Sequence, residues 1–182
     1  MSVVHKKIHP ALFDVPIEAI GQALADNVGW LDEVFGKAEV ITHSFPDGSR
    51  RVYPDWPVGG KEYEQLLPDD RRGGYAFFVL EEPVEMGMTD KWHAPLSVIV
   101  WGDMDIASPD ERNTEKVKDD VLRAIRKVRM PGSAFIVDRV YERPETVFRG
   151  FDVREVDQRF MMQPFFALRI TGTVYIDEPC DY

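Results

Sequence analysis

The chain has 182 residues, enough for one domain with a substantial core, because a chain of this length buries about 70% of its unfolded surface. Its 44% hydrophobic and 30% charged residues are typical of a globular protein. The formal net charge of −10 disfavours binding to nucleic-acid phosphates, so we expect no sequence-specific nucleic-acid partner. No run approaches the roughly 20 apolar residues of a membrane span, and we expect no signal peptide and no membrane partner. The single cysteine, Cys180, forms no internal disulfide, which fits a reducing cytoplasm.

The first predicted element is an amphipathic helix over residues 14–36. Asp14 is a candidate cap, and Gly36 gives a natural C-terminal stop. Apolar residues recur at three- and four-residue steps, as expected for one helical stripe: Ile17, Ile20, Leu24, Val28, Leu31 and Phe35. This helix therefore has one face to bury.

The middle of the chain predicts strands. Residues 39–45 and 50–54 flank the turn signal "PDG" and predict a short hairpin, followed by a Pro/Gly-rich loop over 54–74. Residues 75–82 and 94–103 predict two longer strands. The second is almost continuously apolar, which favours a central place in a sheet.

A second helix is predicted over residues 108–128, with Ser108 as its cap and Asn113 as a rival cap that would start the helix later. Its buried stripe consists of Val117, Val121, Ile125 and Val128. A strand over 133–141 follows, and then a charged stretch over 142–158 that we interpret as a long excursion or a projecting hairpin. The final strand alternates in period two, which predicts one buried face and one face partly open to solvent.

This order of elements predicts an α+β fold, in which two helices pack on one face of a mainly antiparallel sheet with long projecting loops or a hairpin. We predict a single domain over residues 1–182, with residues 1–13 and 178–182 as flexible termini. The other face of the sheet has no predicted cover.

A search for catalytic and metal-binding motifs finds none that predicts chemistry. The four histidines have no ligand spacing on a predicted helix: His5, His9, His43 and His93. The segment beginning at Asp103 starts like a calcium loop, but Ala107 and Ser108 stand where an oxygen ligand and a glycine are needed. Cys180 lacks the electropositive surroundings of a reactive thiol. We therefore expect no catalytic residues, no metal and no cofactor.

Apolar residues outside the regular stripes are the main signal for function. Methionine and aromatic residues are enriched in protein–protein interfaces. On this basis we predict an oligomer interface formed by Met86, Met88, Trp92, Phe148 and Phe151. The alternative is that the loops fold back and bury these side chains against the sheet.

The layout of the chain over about residues 14–177 resembles the tail-terminator or tail-completion proteins of long-tailed bacteriophages and prophages. The resemblance rests on the strands "YAFFVLEE" and "APLSVIVWGD", the helix "EKVKDDVLRAIRKV", the strand "SAFIVDRVY" and the ending "FFALRITGTVYI". It implies a non-catalytic assembly protein that forms a ring, commonly hexameric, and contacts other tail or head-connector proteins. It also implies a location in the host cytoplasm during assembly and in the virion tail afterwards.

Other interpretations stay open at this point. Within the resemblance, the role could be that of a tail terminator, a head–tail joining protein or another minor tail component. Outside it, the chain could be a monomeric binding module with a concave apolar pocket, or a small enzyme whose site combines residues distant in sequence.

Overall fold

The computed structural model describes residues 2–59, 62–87 and 91–177. In chain order, the elements are β1 (Val3–His5), α1 (Asp14–Asn27), β2 (Glu33–Lys37), β3 (Glu39–Ser44), β4 (Arg50–Gly59), β5 (Glu62–Gln65), β6 (Gly74–Leu80), β7 (Glu85–Met86), β8 (Lys91–Asp103), α2 (Met104–Ala107), α3 (Thr114–Lys127), β9 (Ser133–Tyr141), α4 (Pro144–Val147), a 3-10 helix (Gln158–Met161) and β10 (Phe165–Asp177).

Within the described residues, a seven-stranded sheet forms the centre of the molecule. Its order is β1-β2-β6-β8-β10-β9, and β7 pairs with β8. The pairs β1-β2 and β2-β6 are parallel, and the other pairs are antiparallel. The predicted α+β class with a mainly antiparallel sheet is thus confirmed, and so is the central position of the apolar strand β8.

One face of this sheet contributes to an apolar core together with both long helices. Ile20 and Leu24 of α1 and Val121 of α3 belong to the same buried cluster as Val98 of β8 and Ile170 of β10. The even-numbered side chains of β8 and β10 therefore face the helices, as the alternation of a strand requires.

The opposite face has a cover that the sequence did not reveal. The strands β3, β4 and β5 form a second, three-stranded antiparallel sheet, and its Tyr53 and Trp56 pack against the central sheet. The stretch 142–158 is not a projecting hairpin, because it contains α4 and a loop that fold back onto the same face. Phe148 and Phe160 are buried there, against Phe77 and Trp101 among others.

The first predicted helix is too long. α1 ends at Asn27, and residues 33–37 form β2, which lies between β1 and β6. Val34 faces the helix-side core, whereas Phe35 faces the opposite core, so both are buried. A strand buried on both faces carries apolar residues at consecutive positions. One of these residues, Phe35, also fits the helical spacing of the stripe predicted over residues 14–36.

Two stretches expected to lack regular structure contain strands. We expected a flexible terminus over residues 1–13, whereas Val3–His5 forms β1 and pairs in parallel with β2. We also expected a loop over 54–74, but β4 continues to Gly59 and β5 pairs with it. The predicted flexible tail 178–182, which includes Cys180, lies outside the described residues.

The second helix starts at the later of its two candidate caps. The Asn113 side chain accepts a hydrogen bond from the backbone N–H of Lys116 at 3.1 Å, so α3 begins at Thr114. Ser108 instead ends α2, and its Oγ accepts a hydrogen bond from the backbone N–H of Asn113 at 3.3 Å. The prediction of Ser108 as the helix cap is therefore wrong, and the rival cap is correct.

Candidate interaction surface

A buried arginine marks where the cover of the second sheet face ends. Arg169 of β10 is 3% exposed, although the sequence pattern placed it on the solvent side of its strand. Its Nη2 donates to Glu81 Oε1 at 2.6 Å and its Nε donates to Ser97 Oγ at 3.0 Å. Its Nη1 donates to the carbonyl oxygens of Val147 and Arg149, both at 3.1 Å. Arg169 thereby ties β10, β8 and the end of β6 to the covering segment around α4.

The acid in this network is held in its charged form. The Ser97 hydroxyl also donates to Glu81 Oε1, at 2.6 Å. Burial raises the pKa of Glu81, but the hydrogen bonds from Ser97 and Arg169 together outweigh it and keep the pKa below its ordinary value of 4.5. Every hydrogen bond that the Arg169 guanidinium donates goes to Glu81, to Ser97 or to a backbone carbonyl, so the geometry is that of a structural clamp.

Beyond the clamp, three rows of the sheet have no covering layer among the residues that the structure describes. Their side chains share the face opposite the helices and are all half-buried or exposed. We call this set the open sheet patch, and it consists of His93, Pro95, Ala134, Ile136, Arg139, Thr171, Thr173 and Tyr175. The strand register aligns Arg139 with Thr171, Ile136 with Thr173 and Pro95, and Ala134 with Tyr175 and His93.

The chemistry of the open sheet patch is apolar, aromatic and hydroxyl-rich. Ile136 is 55% exposed in spite of its size. The rings of His93 and Tyr175 stack with their centroids 5.7 Å apart, and Glu85 of β7 lies 3.4 Å from His93 Nε2. Threonine, tyrosine and isoleucine favour strands and carry no charge. A contiguous exposed surface of this kind is typical of an interaction site.

The open sheet patch continues to the free edge of β9. This strand is nine residues long, and β10 is its only partner strand within the described residues. A bulge at Asp138 shifts the register between Arg139 and Val137. A long edge strand offers unpaired N–H and C=O groups to another chain, and one bulge interrupts this row only locally.

The rim of the open sheet patch is basic, in contrast to the acidic chain as a whole. Arg139 lies in the patch, Arg143 precedes α4, and the Arg149 guanidinium stands over the Tyr141 ring at 5.8 Å from its centroid. None of these three arginines takes part in an ion pair within the parts of the chain that the structure describes. The formal net charge of the protein is −10, so this cluster is a local exception.

Among the residues predicted to form an oligomer interface, Met86 and Trp92 are cross-strand neighbours, whereas Phe148 and Phe151 pack on the opposite face of the sheet. Phe148 is 2% exposed and belongs to the second core, where Phe151 packs against it, so the prediction is wrong for Phe148 as a surface residue. The alternative, that this loop folds back onto the sheet, describes both residues correctly. Met86 is 51% exposed, but it lies opposite Trp92, which packs on the helix-side core. Met88 lies outside the described residues.

A concave site lies at the opposite end of β10. It is a cleft of about 280 Å³ between the start of β10, the start of α3 and the 3-10 helix. Its lining is mainly apolar and includes Met104, Met161, Met162, Phe165 and Phe166. An apolar cleft of this size is near the lower limit of small-molecule sites.

The polar groups elsewhere do not assemble into a recognisable centre. His43 Nε2 lies 2.5 Å from the Oδ2 atom of the fully buried Asp55, so the buried carboxylate has a hydrogen-bond partner. Across residues 2–59, 62–87 and 91–177, no three His, Cys, Asp or Glu side chains come together in a way that could hold a metal ion. Likewise, no helix in the described residues is long and apolar enough to cross a membrane.

Comparison with models of known protein families finds no family that matches the chain, and comparison with curated proteins finds no similar sequence. The candidate interaction surface therefore stands on the geometry and chemistry of this chain alone.

Proposed function

We propose that this protein is a non-catalytic structural subunit that associates with copies of itself into a closed ring. The resemblance to tail-terminator proteins supports a role in the tail assembly of a bacteriophage or prophage, as a tail terminator or a head–tail joining subunit. In that role the ring, a hexamer as is common among those proteins, would form in the host cytoplasm, become part of the virion tail and contact other tail or head-connector proteins.

The observation that carries the proposal is the open sheet patch beside the free edge of β9. Ile136 presents a large apolar side chain at 55% exposure in the middle row of this surface, on the edge strand, with Thr173 and Tyr175 beside it on β10. Burial of apolar surface of this kind drives protein association at about 25 cal/mol per Å². A second copy that covers the patch would remove it from water.

The test compares the same charged replacement at two similarly exposed β-branched residues. Ile136→Lys places a charge in the open sheet patch, and Val40→Lys places the same charge on β3, where Val40 is 51% exposed. Light scattering across a concentration series should show a closed oligomer for the wild type and for Val40→Lys, and a shift towards monomer for Ile136→Lys. Electron microscopy of the oligomer should show rings.

Two results would refute the proposal. One is a wild-type protein that stays monomeric at every concentration, and the other is equal self-association of the Ile136→Lys and Val40→Lys variants. Circular dichroism of both variants would establish that they fold.

The second candidate function is a monomeric binding module, and the cleft beside Met161 and Met162 favours it. An apolar dye such as anilinonaphthalene sulfonate should then bind the folded wild type with one site per chain. Met162→Arg, at a position that is 60% exposed, should abolish the dye signal without loss of stability. Dye binding that survives this change would place the site elsewhere and remove the basis for this candidate.

A further inference from the structure

The open sheet patch is too small to hold a ring together by itself. Three strands spaced about 4.8 Å apart and four residues of strand length give a face of about 14 by 14 Å. A stable interface buries about 800 Å² on each partner, several times that area. Surface that adjoins the patch, including its basic rim, must therefore contribute to the interface as well, and in a ring the partner is a different surface of the same chain.

An acidic projection at the other end of the sheet has the required properties. We call residues 103–111 the acidic knob, because they carry four carboxylates: Asp103, Asp105, Asp110 and Glu111. Two of these carboxylates have partners. Asp103 Oδ1 accepts from the Asp105 backbone N–H at 2.8 Å, and Asp105 pairs with Arg112 at 2.6 Å.

The remaining two carboxylates are free for a partner. Asp110 and Glu111 are exposed, and neither belongs to an ion pair among the described residues. Ile106 lies beside them at 52% exposure. The acidic knob thus combines an exposed isoleucine with two carboxylates that form no ion pair among the described residues. The open sheet patch combines an exposed isoleucine with Arg139, which likewise forms no ion pair among the described residues.

The acidic knob is also rigidly placed. Met104, Ala107 and Val117 form a small buried cluster beneath it, and Trp30 and Phe166 pack against this cluster. A surface that is already ordered in the free protein loses little conformational freedom on binding.

The two surfaces cannot meet within one chain. The acidic knob follows Asp103 at the end of β8, and His93 of the open sheet patch lies ten residues earlier on the same strand. The row of Arg139 is nearer, because Arg139 pairs with Thr171 and Thr171 pairs with Ser97, six residues before Asp103. At about 3.3 Å per residue, the acidic knob begins about 20 Å from the row of Arg139 and about 33 Å from the row of His93. Only a neighbouring copy can bring the acidic knob to the patch.

We propose that the acidic knob of one copy docks on the open sheet patch of the next, with Asp110 and Glu111 against Arg139 and Arg149. Ile106 then packs on the apolar rows around Ile136. This contact is head-to-tail, and repeated around an axis it closes a ring. The inference rests on the proposed function, because it names the two surfaces through which the proposed ring assembles.

Charge reversal tests this pairing. The first variant is Arg139→Glu with Arg149→Glu, the second is Asp110→Lys with Glu111→Lys, and the third combines all four changes in one chain. The affected side chains are exposed, so the fold should survive. We expect each double variant to weaken self-association at least tenfold, and the combined chain to recover to within about threefold of the wild type.

The direction in which the second variant changes self-association distinguishes specific pairing from an effect of net charge. Asp110→Lys with Glu111→Lys lowers the negative net charge, so overall repulsion between chains falls and self-association should strengthen if only net charge matters. The proposed pairing predicts the opposite. A matched control for the first variant is Arg126→Glu with Arg129→Glu, two exposed arginines of the helix side, which should associate like the wild type.

The outcomes distinguish the inference from the proposed function. If the wild type forms a closed oligomer and the Asp110→Lys, Glu111→Lys variant associates as tightly or more tightly, the acidic knob is not the partner and the inference fails alone. Failure of the combined chain to recover would also overturn it. A wild type that never self-associates would instead refute the proposed function, and the inference with it.

Discussion

Replacement of Arg169 by methionine should strongly destabilise the fold. The guanidinium donates four hydrogen bonds, to Glu81, to Ser97 and to two backbone carbonyls, and is 3% exposed. Methionine fills a similar volume but donates none of these bonds. The change therefore leaves the Glu81 carboxylate without its cationic partner and the carbonyls of Val147 and Arg149 without this donor.

The structure sets the size of the effect. Breaking a buried ion pair by removal of one partner costs about 3–5 kcal/mol. The side chain of Glu81 is 32% exposed, so water takes up part of the lost interaction and the lower end of that range applies. The unpaired carbonyls add to the cost by up to about 1–3 kcal/mol each where they stay dry. We expect a loss of about 3–4 kcal/mol, a large share of the 5–15 kcal/mol typical of a domain.

Urea denaturation followed by tryptophan fluorescence, at one fixed protein concentration, measures this loss. Arg169→Lys is the matched control: it keeps the charge near Glu81 but lacks the forked geometry, so its loss should be smaller. The double variant Arg169→Met with Glu81→Leu removes both charges and should be more stable than Arg169→Met alone. A loss below about 1 kcal/mol in Arg169→Met would refute the assignment of a structural clamp.

Three further predictions concern the same layers. The folded-state pKa of Glu81 lies below 4.5, so the charged carboxylate contributes to the free energy of unfolding above pH 4.5, and this contribution is lost as the pH falls through the folded-state pKa. The difference in unfolding free energy between the wild type and Glu81→Gln should therefore become smaller as the pH is lowered. In Gly172→Ala, the new Cβ would lie 2.1 Å from the carbonyl oxygen of Ile136, so β9 has to shift. We expect the unfolding free energy to fall by about 1–3 kcal/mol and self-association to weaken. An unchanged urea transition and unchanged light scattering would contradict this. Phe148→Ala should lower the unfolding free energy by about 3–5 kcal/mol in the same urea assay, whereas replacement of a surface residue would change it by almost nothing.

The sequence predicted those elements whose pattern is local. β9 has the bounds that were predicted for it. α3 starts at the rival cap, Asn113, and not at Ser108, although both are local cap signals. The helix predicted over 14–36 failed beyond Asn27, because the apolar residues of β2 are buried by strands distant in sequence. A periodic pattern records that residues are buried, but not which element buries them.

The candidate interaction surface was only partly visible in the sequence. Alternation of the last strand indicated a face partly open to solvent, and Thr171, Thr173 and Tyr175 do form the open rows. Arg169 belongs to the same alternating set, yet it is buried, because α4 and the end of β6 supply its partners from across the chain. No local signal distinguishes a buried arginine from a solvated one, so the position of the clamp, and with it the edge of the patch, needed the tertiary structure.

The length of the two central strands explains why a surface remains open. β8 and β10 are paired over thirteen residues. The three-stranded sheet and the α4 segment cover only one half of this pair of strands, from the start of β10 to Arg169. A strand face that serves only to meet water usually carries charged side chains, which also protect it against association. Here the uncovered half carries Ile136, Thr173 and Tyr175 instead, and its charges stand at the rim. An arrangement with an apolar centre and a polar rim is that of an interface. In the proposed ring, the acidic knob at the other end of β8 supplies a surface of opposite charge for the next copy.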